Sequence, residues 1–259
     1  MKIIFLHIPK TAGQSVHQLL IDFLGKDKVC PARDNNQLLS YSKQEMDKYQ
    51  VFSGHFDWCI FDSLPGHKFT FTVLREPCDR ILSFYFYLRK EANKLSKEEL
   101  EASDKQGLKA ALVLSPYDYF VNQKTSIRNF IDDHCDNFYT YYFAGRSYNG
   151  RSKLKNLSKD KILKDTEDIL KLALENMSTL DKVYNINDWQ ARLKKDLSEI
   201  TSTKSFNSQN YLVNQNKTIE AKDRLEKLKE LGADKNVIQQ IEQFCELDNL
   251  LYKKFFPPH

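Results

Sequence analysis

The sequence lacks long apolar runs, paired cysteines and a strong excess of charge, and each absence excludes a class of protein. No stretch approaches about 18 uninterrupted apolar residues, the length that a membrane-spanning helix needs. The run at residues 3–6 is too short for the core of a signal peptide. The five cysteines are scattered and odd in number, which argues against a disulfide scaffold or a zinc site. We therefore expect reduced thiols, a cytoplasmic location and no transmembrane segment.

The composition is that of an ordinary globular protein. The chain has 259 residues, of which 41% are hydrophobic and 29% charged, so it can bury a core without metal or disulfide crosslinks. Its formal net charge of +4 suits a small anionic ligand but is too weak to argue for nucleic acid. Neither an internal repeat nor a long linker divides the sequence. We expect one domain over residues 1–259.

Strand and helix patterns alternate in the first third of the chain. Residues 3–6, 51–53 and 69–74 read as strands, and residues 16–24 read as a helix that ends near Gly25. Pro77 suits the first turn of a second helix. This alternation predicts an α/β fold, a P-loop-like parallel sheet flanked by helices. Residues 90–106 read as a solvated helix or mobile excursion.

The second half of the sequence is mainly helical in pattern. One apolar stripe beyond residue 159 comprises Ile162, Leu163, Ile169, Leu170, Ala173, Leu174 and Met177. A last helix is predicted to end before Pro257. Its apolar residues are Ile241, Phe244, Cys245, Leu250 and Leu251.

A short segment between the first strand and the first helix can hold an anion. Backbone N–H groups and a positive helix end converge there, Gly13 allows close approach, Lys10 adds a cation and Ser15 a hydroxyl. The nucleoside triphosphate loop G-x-x-x-x-G-K-[ST] is absent, because Lys10 precedes the glycine. Taken alone, the segment is equally well read as a plain β–α turn.

A second anion site is indicated where the strand at residues 69–74 ends. Arg75 follows the strand at its carboxyl end, where ligands gather in open α/β sheets. Ser83 lies about two turns into the next helix, with Arg80 on the same face. A guanidinium and a hydroxyl together suit a phosphate. For Arg80 a structural ion pair is the more common role.

Two histidines are candidates for a general base, because imidazole titrates near neutral pH. His55 follows a predicted strand and Gly54, and its alternative role is a loop histidine packed against Phe56 and Trp58. His17 lies on the helix after the anion loop.

Three segments together resemble the carbohydrate sulfotransferases, in particular the branch that contains heparan sulfate 2-O-sulfotransferase. Residues 7–15, HIPKTAGQS, resemble the family's 5′-phosphosulfate loop, and residues 74–85 resemble its 3′-phosphate motif. Residues 53–58, SGHFDW, resemble a His-Gly-His segment. The chain departs from the family at Gln14, where Thr or Ser is usual, and at Ser53, where the first histidine would stand. On the helix where other branches place a catalytic glutamate, this chain has Gln18, which cannot act as a base.

The resemblance implies a donor, 3′-phosphoadenosine-5′-phosphosulfate (PAPS), and the product 3′-phosphoadenosine 5′-phosphate (PAP). Arg75 and Ser83 would bind the 3′-phosphate, His55 would take the acceptor's proton, and Lys10 would neutralise charge on the bridging oxygen. No metal is required by this scheme. The residues implied to hold the 5′-phosphosulfate are Lys10, Thr11, Ala12, Gly13, Gln14 and Ser15.

The acceptor is expected to be a hydroxyl, of a sugar or glycoconjugate, with residues 90–128 shaping its site. The phosphate loop begins within ten residues of Met1, so we expect no membrane anchor and a bacterial-type cytosolic enzyme. Weaker resemblances cover residues 136–145, residues 181–186 and a loop at residues 210–217 that would close over the nucleotide.

Two other functions stay open at this point. A P-loop-type small-molecule kinase would need magnesium and a lysine directly after the loop's last glycine, which this sequence lacks. A nucleotide-binding module without activity is the other alternative, and Gln14 and Ser53 are the residues that favour it.

Overall fold

The computed structural model describes residues 1–159, 166–201 and 219–258, and these form two compact units. The first unit contains the described residues of Met1–Arg75, Tyr141–Asn216 and Phe255–His259. The second contains Glu76–Thr140 and the described residues of Lys217–Lys254. The apolar runs of the first third therefore fall in one unit, and the charged stretch that follows falls in the other.

A four-stranded parallel sheet lies at the centre of the first unit. Its strands are β1 (Lys2–Leu6), β2 (Val51–Gly54), β3 (Lys68–Leu74) and β4 (Lys182–Asn185), in the order β2-β1-β3-β4. The central strands, β1 and β3, are buried along nearly their whole length, as is typical of strands covered on both faces. The predicted α/β class with a parallel sheet flanked by helices is confirmed.

The described α-helices follow in chain order. They are α1 (Gly13–Leu24), α2 (Asn35–Leu39), α3 (Lys43–Asp47), α4 (Pro77–Ala92), α5 (Lys97–Leu100), α6 (Gln106–Val113), α7 (Pro116–Phe120), α8 (Arg128–Cys135), α9 (Phe138–Gly145), α10 (Gly150–Lys159), α11 (Thr166–Met177), α12 (Trp189–Thr201), α13 (Ala221–Glu230), α14 (Lys235–Gln243) and α15 (Glu246–Phe255). Within the three described ranges, no helix is long and apolar enough to cross a membrane.

Helix α1 packs on the sheet through its apolar face. Val16, Leu19 and Leu20 are fully buried in the same core as Phe5 and Phe71, whose rings stack 5.1 Å apart. The helix ends at Gly25, whose φ of 96° lies in the region that favours glycine. Both the helix and its predicted end are confirmed, and the core of the first unit holds the start of α1 against the end of β1.

The second unit is helical and has a core of its own. Helix α4 begins with Pro77 in its first turn, and the Glu76 side chain accepts hydrogen bonds from the N–H groups of Cys78 and Asp79. Arg80 is not on the helix surface: it is 1% exposed, and Nη2 donates to the His134 carbonyl at 2.8 Å. Residues 90–106, predicted to be a solvated helix or mobile excursion, contain the end of α4 and the short helix α5.

One predicted helix is two. The single last helix expected around Ile241 to Leu251 is interrupted between α14 and α15. The Asn137 N–H donates to the Phe244 carbonyl at 2.7 Å, and its side-chain oxygen accepts from the N–H of Leu247 at 2.8 Å. A distant asparagine thus takes up backbone groups that a continuous helix would pair internally. Leu250, which was predicted among the apolar residues of this last helix, is 55% exposed.

The predicted stripe beyond residue 159 coincides with α11. Ile169, Ala173 and Met177 are buried along one face of this helix. Ile162 and Leu163, and the loop predicted at residues 210–217, lie outside the described residues.

Candidate active site

Three of the strands deliver a polar residue to the same edge of the sheet. His7 directly follows β1, His55 follows β2 and Arg75 follows β3. Because all strands are parallel, these positions share the carboxyl edge. The chain crosses from β1 to β2 on one side and later returns to β3 on the other, so this edge has a topological switch point beside β1. Open α/β sheets bind their ligands at such points.

The loop between β1 and α1 has the backbone geometry of an anion site. Lys10 has a φ of 72° and Ala12 a φ of 65°, a left-handed conformation that costs non-glycine residues free energy. Alternating left- and right-handed residues turn successive N–H groups toward one point. The Thr11 hydroxyl holds this shape by donating to the Ile8 carbonyl at 2.8 Å. This strained backbone favours an anion-binding loop over a plain β–α turn.

Helix α1 points its N-terminus out of this loop. Its N-cap is Ala12, which has no side-chain oxygen to accept from the first N–H groups, and its first turn contains no acidic residue. The helix end therefore keeps its partial positive charge. Gly13 and Ser15 are buried at this end, whereas Gln14 is exposed. The six residues predicted to hold the phosphosulfate are consecutive along this loop and the start of α1, and their binding role stays a prediction.

Arg75 is hydrogen-bonded to the loop between β1 and α1. Its Nε donates to the Lys10 carbonyl at 2.9 Å, so the guanidinium stem is fixed against the loop. Ser83 lies on α4 in the second unit and is 8% exposed. The joint binding of a 3′-phosphate by Arg75 and Ser83 stays a prediction.

His55 is held at its backbone and at one ring nitrogen. Its N–H donates to the Arg33 carbonyl at 2.8 Å. Nδ1 lies 3.0 Å from the His7 carbonyl oxygen and 2.6 Å from the Tyr148 hydroxyl. The ring stacks on the His7 ring with centroids 4.1 Å apart. The His55 ring also meets the Tyr148 ring edge-on, with centroids 5.5 Å apart.

His7 joins the phosphate loop to His55. A Cβ added to Gly13 would lie 1.7 Å from the His7 Nε2, so the ring fills the space that glycine leaves open. Burial lowers the pKa of His7 well below its usual value, and His55, Arg33, Lys10 and His17 lower it further. A neutral imidazole therefore lies beneath the loop and against His55.

The other candidate base, His17, is hydrogen-bonded to Arg33. Its Nδ1 accepts a hydrogen bond from the Arg33 guanidinium. Burial, and then the charge of Arg33, lower the pKa of His17 to about 4. The same guanidinium nitrogen donates to the Ser53 carbonyl and lies 3.3 Å from the Ser53 hydroxyl. A weakly basic imidazole is a poor proton acceptor, which favours His55 over His17.

Two residues of this site, Arg33 and Tyr148, lie outside the sequence motifs, and two others, His7 and Asp57, lie within them without an assigned role. Tyr148 lies 93 positions from His55, and no strand or motif marks it. The parallel pairing of Asp34 with His55 places Arg33 beside the site, and that pairing is visible only in the fold. His7 could have been found from its place after a central strand.

The family model described as "Sulfotransferase family" matches residues 1–255. The chain belongs to the sulfotransferase family. No curated protein matches the chain.

The residues of this sulfotransferase that match the family model belong to both compact units. Family membership makes it an enzyme that transfers a sulfuryl group to a hydroxyl acceptor.

Proposed function

We propose that this sulfotransferase takes its sulfuryl group from PAPS and transfers it to a hydroxyl of a sugar or glycoconjugate, with His55 as general base. One observation carries the proposal: the strained anion loop and His55 lie on the same sheet edge, joined through His7. The sequence resemblance to the heparan sulfate 2-O-sulfotransferase branch supports the donor and the sugar acceptor. That branch, the bacterial type, the single domain and the cytoplasmic location belong to the same proposal.

The donor's anionic groups fit the residues present. The left-handed backbone at Lys10 and Ala12 and the uncapped start of α1 suit the 5′-phosphosulfate. Arg75, fixed by its bond to the loop, suits a second phosphate, with Ser83 as its proposed companion. PAPS supplies an activated sulfuryl group whose leaving group is the phosphate of PAP.

The proton and the charge are assigned to two side chains. His55 takes the proton of the acceptor hydroxyl as the new oxygen–sulfur bond forms and the sulfur–oxygen bond to phosphate breaks. Lys10, half-buried in the loop, neutralises the negative charge that gathers on the departing oxygen. The scheme uses no metal ion, and this stays a prediction.

A transfer assay tests the base directly. Radiolabelled PAPS is incubated with a panel of saccharide and glycoconjugate acceptors, and labelled product is measured for the wild type, His55→Ala and His17→Ala. We expect His55→Ala to lower the transfer rate by about 100-fold or more, within the range for general base catalysis. His17→Ala should keep most of the activity because that imidazole is already engaged by Arg33. The reverse pattern would assign the base to His17.

A further inference from the structure

Tyr148 approaches His55 from a part of the chain that no motif marked. Its hydroxyl lies 2.6 Å from the His55 Nδ1 and donates a hydrogen bond to the His7 carbonyl oxygen. The same carbonyl lies 3.0 Å from Nδ1. The hydroxyl, the carbonyl and the imidazole nitrogen thus form a closed triangle.

One placement of the hydrogens satisfies all three contacts of this triangle. A carbonyl oxygen can only accept, so in this placement both the Tyr148 hydroxyl and the His55 Nδ1 donate to it. The hydroxyl has one hydrogen, which the His7 carbonyl takes, and its oxygen therefore faces Nδ1 as a second acceptor. Nδ1 carries a hydrogen, and the neutral ring has its lone pair on Nε2.

Tyr148 is itself fixed by Asp57, two residues after His55. The Tyr148 N–H donates to Oδ1 of Asp57 at 2.8 Å, and the Ser147 hydroxyl donates to Oδ2 at 3.0 Å. The Asp57 N–H donates to the Asn35 side chain at 2.7 Å. One carboxylate thus links the segment that carries His55 to the segment that carries Tyr148, and it sets the position of the phenol.

The surroundings of His55 also bear on the charge it would acquire. The stacked neighbour, His7, has a lowered pKa because it is buried, so it stays neutral and does not repel a protonated His55. Arg33 and Lys10 are the cations that would repel a protonated His55, and His17 is bonded to Arg33. The Tyr148 hydroxyl oxygen and the His7 carbonyl oxygen face Nδ1, and they offset this repulsion by accepting hydrogen bonds from the imidazolium.

We propose that Tyr148 is a positioning residue for the general base: it holds His55 in the Nδ1–H tautomer and turns Nε2 toward the acceptor's proton. The proposal rests on the proposed function, in which His55 is the base. Tyr148 acts through His55 and is not assigned a contact with either substrate.

The test compares two variants, each of which replaces a tyrosine near His55 by phenylalanine. Tyr148→Phe removes the hydroxyl that faces His55. Tyr142→Phe removes a buried hydroxyl that donates to the Phe56 carbonyl at 2.9 Å, from a ring 5.1 Å away from that of Tyr148. We expect Tyr148→Phe to lower kcat by about 10- to 100-fold, the loss of one hydrogen bond to a charged group, with the donor KM unchanged. Tyr142→Phe should change kcat by less than about threefold.

A double variant shows whether Tyr148 acts through His55. We expect Tyr148→Phe to add no further loss in a His55→Ala background, because coupled residues are not additive. An equal fall in kcat for Tyr148→Phe and Tyr142→Phe, or full additivity with His55→Ala, would overturn the positioning role.

Imidazole nitrogen NMR decides the tautomer without any transfer activity. The His55 signals, assigned by their loss in His55→Ala, should show the Nδ1–H form in the wild type and a larger share of the Nε2–H form in Tyr148→Phe. An Nε2–H form in the wild type contradicts the proposal. If His55→Ala retained transfer, the proposed base would fail, while this spectrum would still report whether Tyr148 orients the ring.

Discussion

Three histidines of the first unit, His7, His17 and His55, differ in what surrounds each imidazole. His7 is buried beneath the phosphate loop, and His17 accepts from Arg33. Burial is the largest cause of the lowered pKa in both. His55 instead faces two oxygens through Nδ1. Neighbouring groups thus give identical side chains different properties: two stay neutral, and the third is the one that we propose as the base.

The lowered pKa values of His7 and His17 make stability depend on pH. Both bind a proton less readily in the folded chain than in the unfolded chain, where histidine titrates near about 6.5. Their contribution is therefore present above about pH 6.5 and is lost as the pH falls; for His17 the loss is complete near the folded pKa of about 4.

Chemical denaturation at pH 7 and pH 5 measures this effect. The wild type should be less stable at pH 5, and His17→Gln, which cannot take up a proton, should lose less stability between the two pH values. His67→Gln, at an exposed position in a turn, is the matched control and should follow the wild type. An identical loss in His17→Gln and wild type would show that His17 does not titrate in this range.

The proposed role of Tyr148 could not be predicted from the sequence. Lys10 and His55 could be selected because their neighbours in the chain form recognisable segments. Tyr148 has its role only because Asp57 accepts from its backbone, a contact between positions 91 residues apart. Its own surroundings in the sequence do not distinguish it from the other 12 of the chain's 13 tyrosines.

At the scale of elements, the strand–loop–helix segment from β1 to α1 is the part that the sequence predicts best. Its apolar strand, its glycine and its amphipathic helix are local features. The left-handed backbone at Lys10 and Ala12 could not be predicted from local sequence, because neither residue type favours that conformation. The loop is held by Thr11, by Arg75 and by the His7 ring against Gly13.

Gly13→Ala tests how closely the loop depends on His7. The added methyl group would lie 1.7 Å from the His7 Nε2, so the ring must move and its stack on His55 must change. We expect a loss of about 1–3 kcal/mol in the free energy of unfolding, the usual cost of overpacking, together with weaker PAP binding.

Gln14→Ala is the control for stability, since Gln14 is exposed on the same turn. It should change the free energy of unfolding by no more than about 0.5 kcal/mol. If Gly13→Ala were equally harmless, the packing of His7 under the loop would not constrain the site.

The break between α14 and α15 is an element-scale feature that pattern could not predict. Apolar spacing runs on through Phe244 and Cys245, which are both buried, and so favours one helix. Asn137, more than 100 positions earlier, binds the backbone on both sides of the break. Tertiary hydrogen bonds decided the boundary.

At the scale of the whole molecule, the parallel sheet was predictable because strand and helix patterns alternate in the first third of the chain. The sheet order explains why residues after β1, β2 and β3 meet at one edge. The family match over residues 1–255 spans both compact units, and the single domain stays a proposal. The acceptor was not predictable, since residues 90–128 match no motif that would identify it.

Calorimetric titration with PAP is the most direct test of the proposed donor, because it requires no knowledge of the acceptor. We predict saturable binding in the micromolar range in the presence of a chelator, and Arg75→Ala should weaken it by about 1.5–3 kcal/mol, the range for a charged hydrogen bond. ATP with magnesium should bind far more weakly. Absence of PAP binding, or preference for ATP with magnesium, would contradict the proposed donor and favour the kinase.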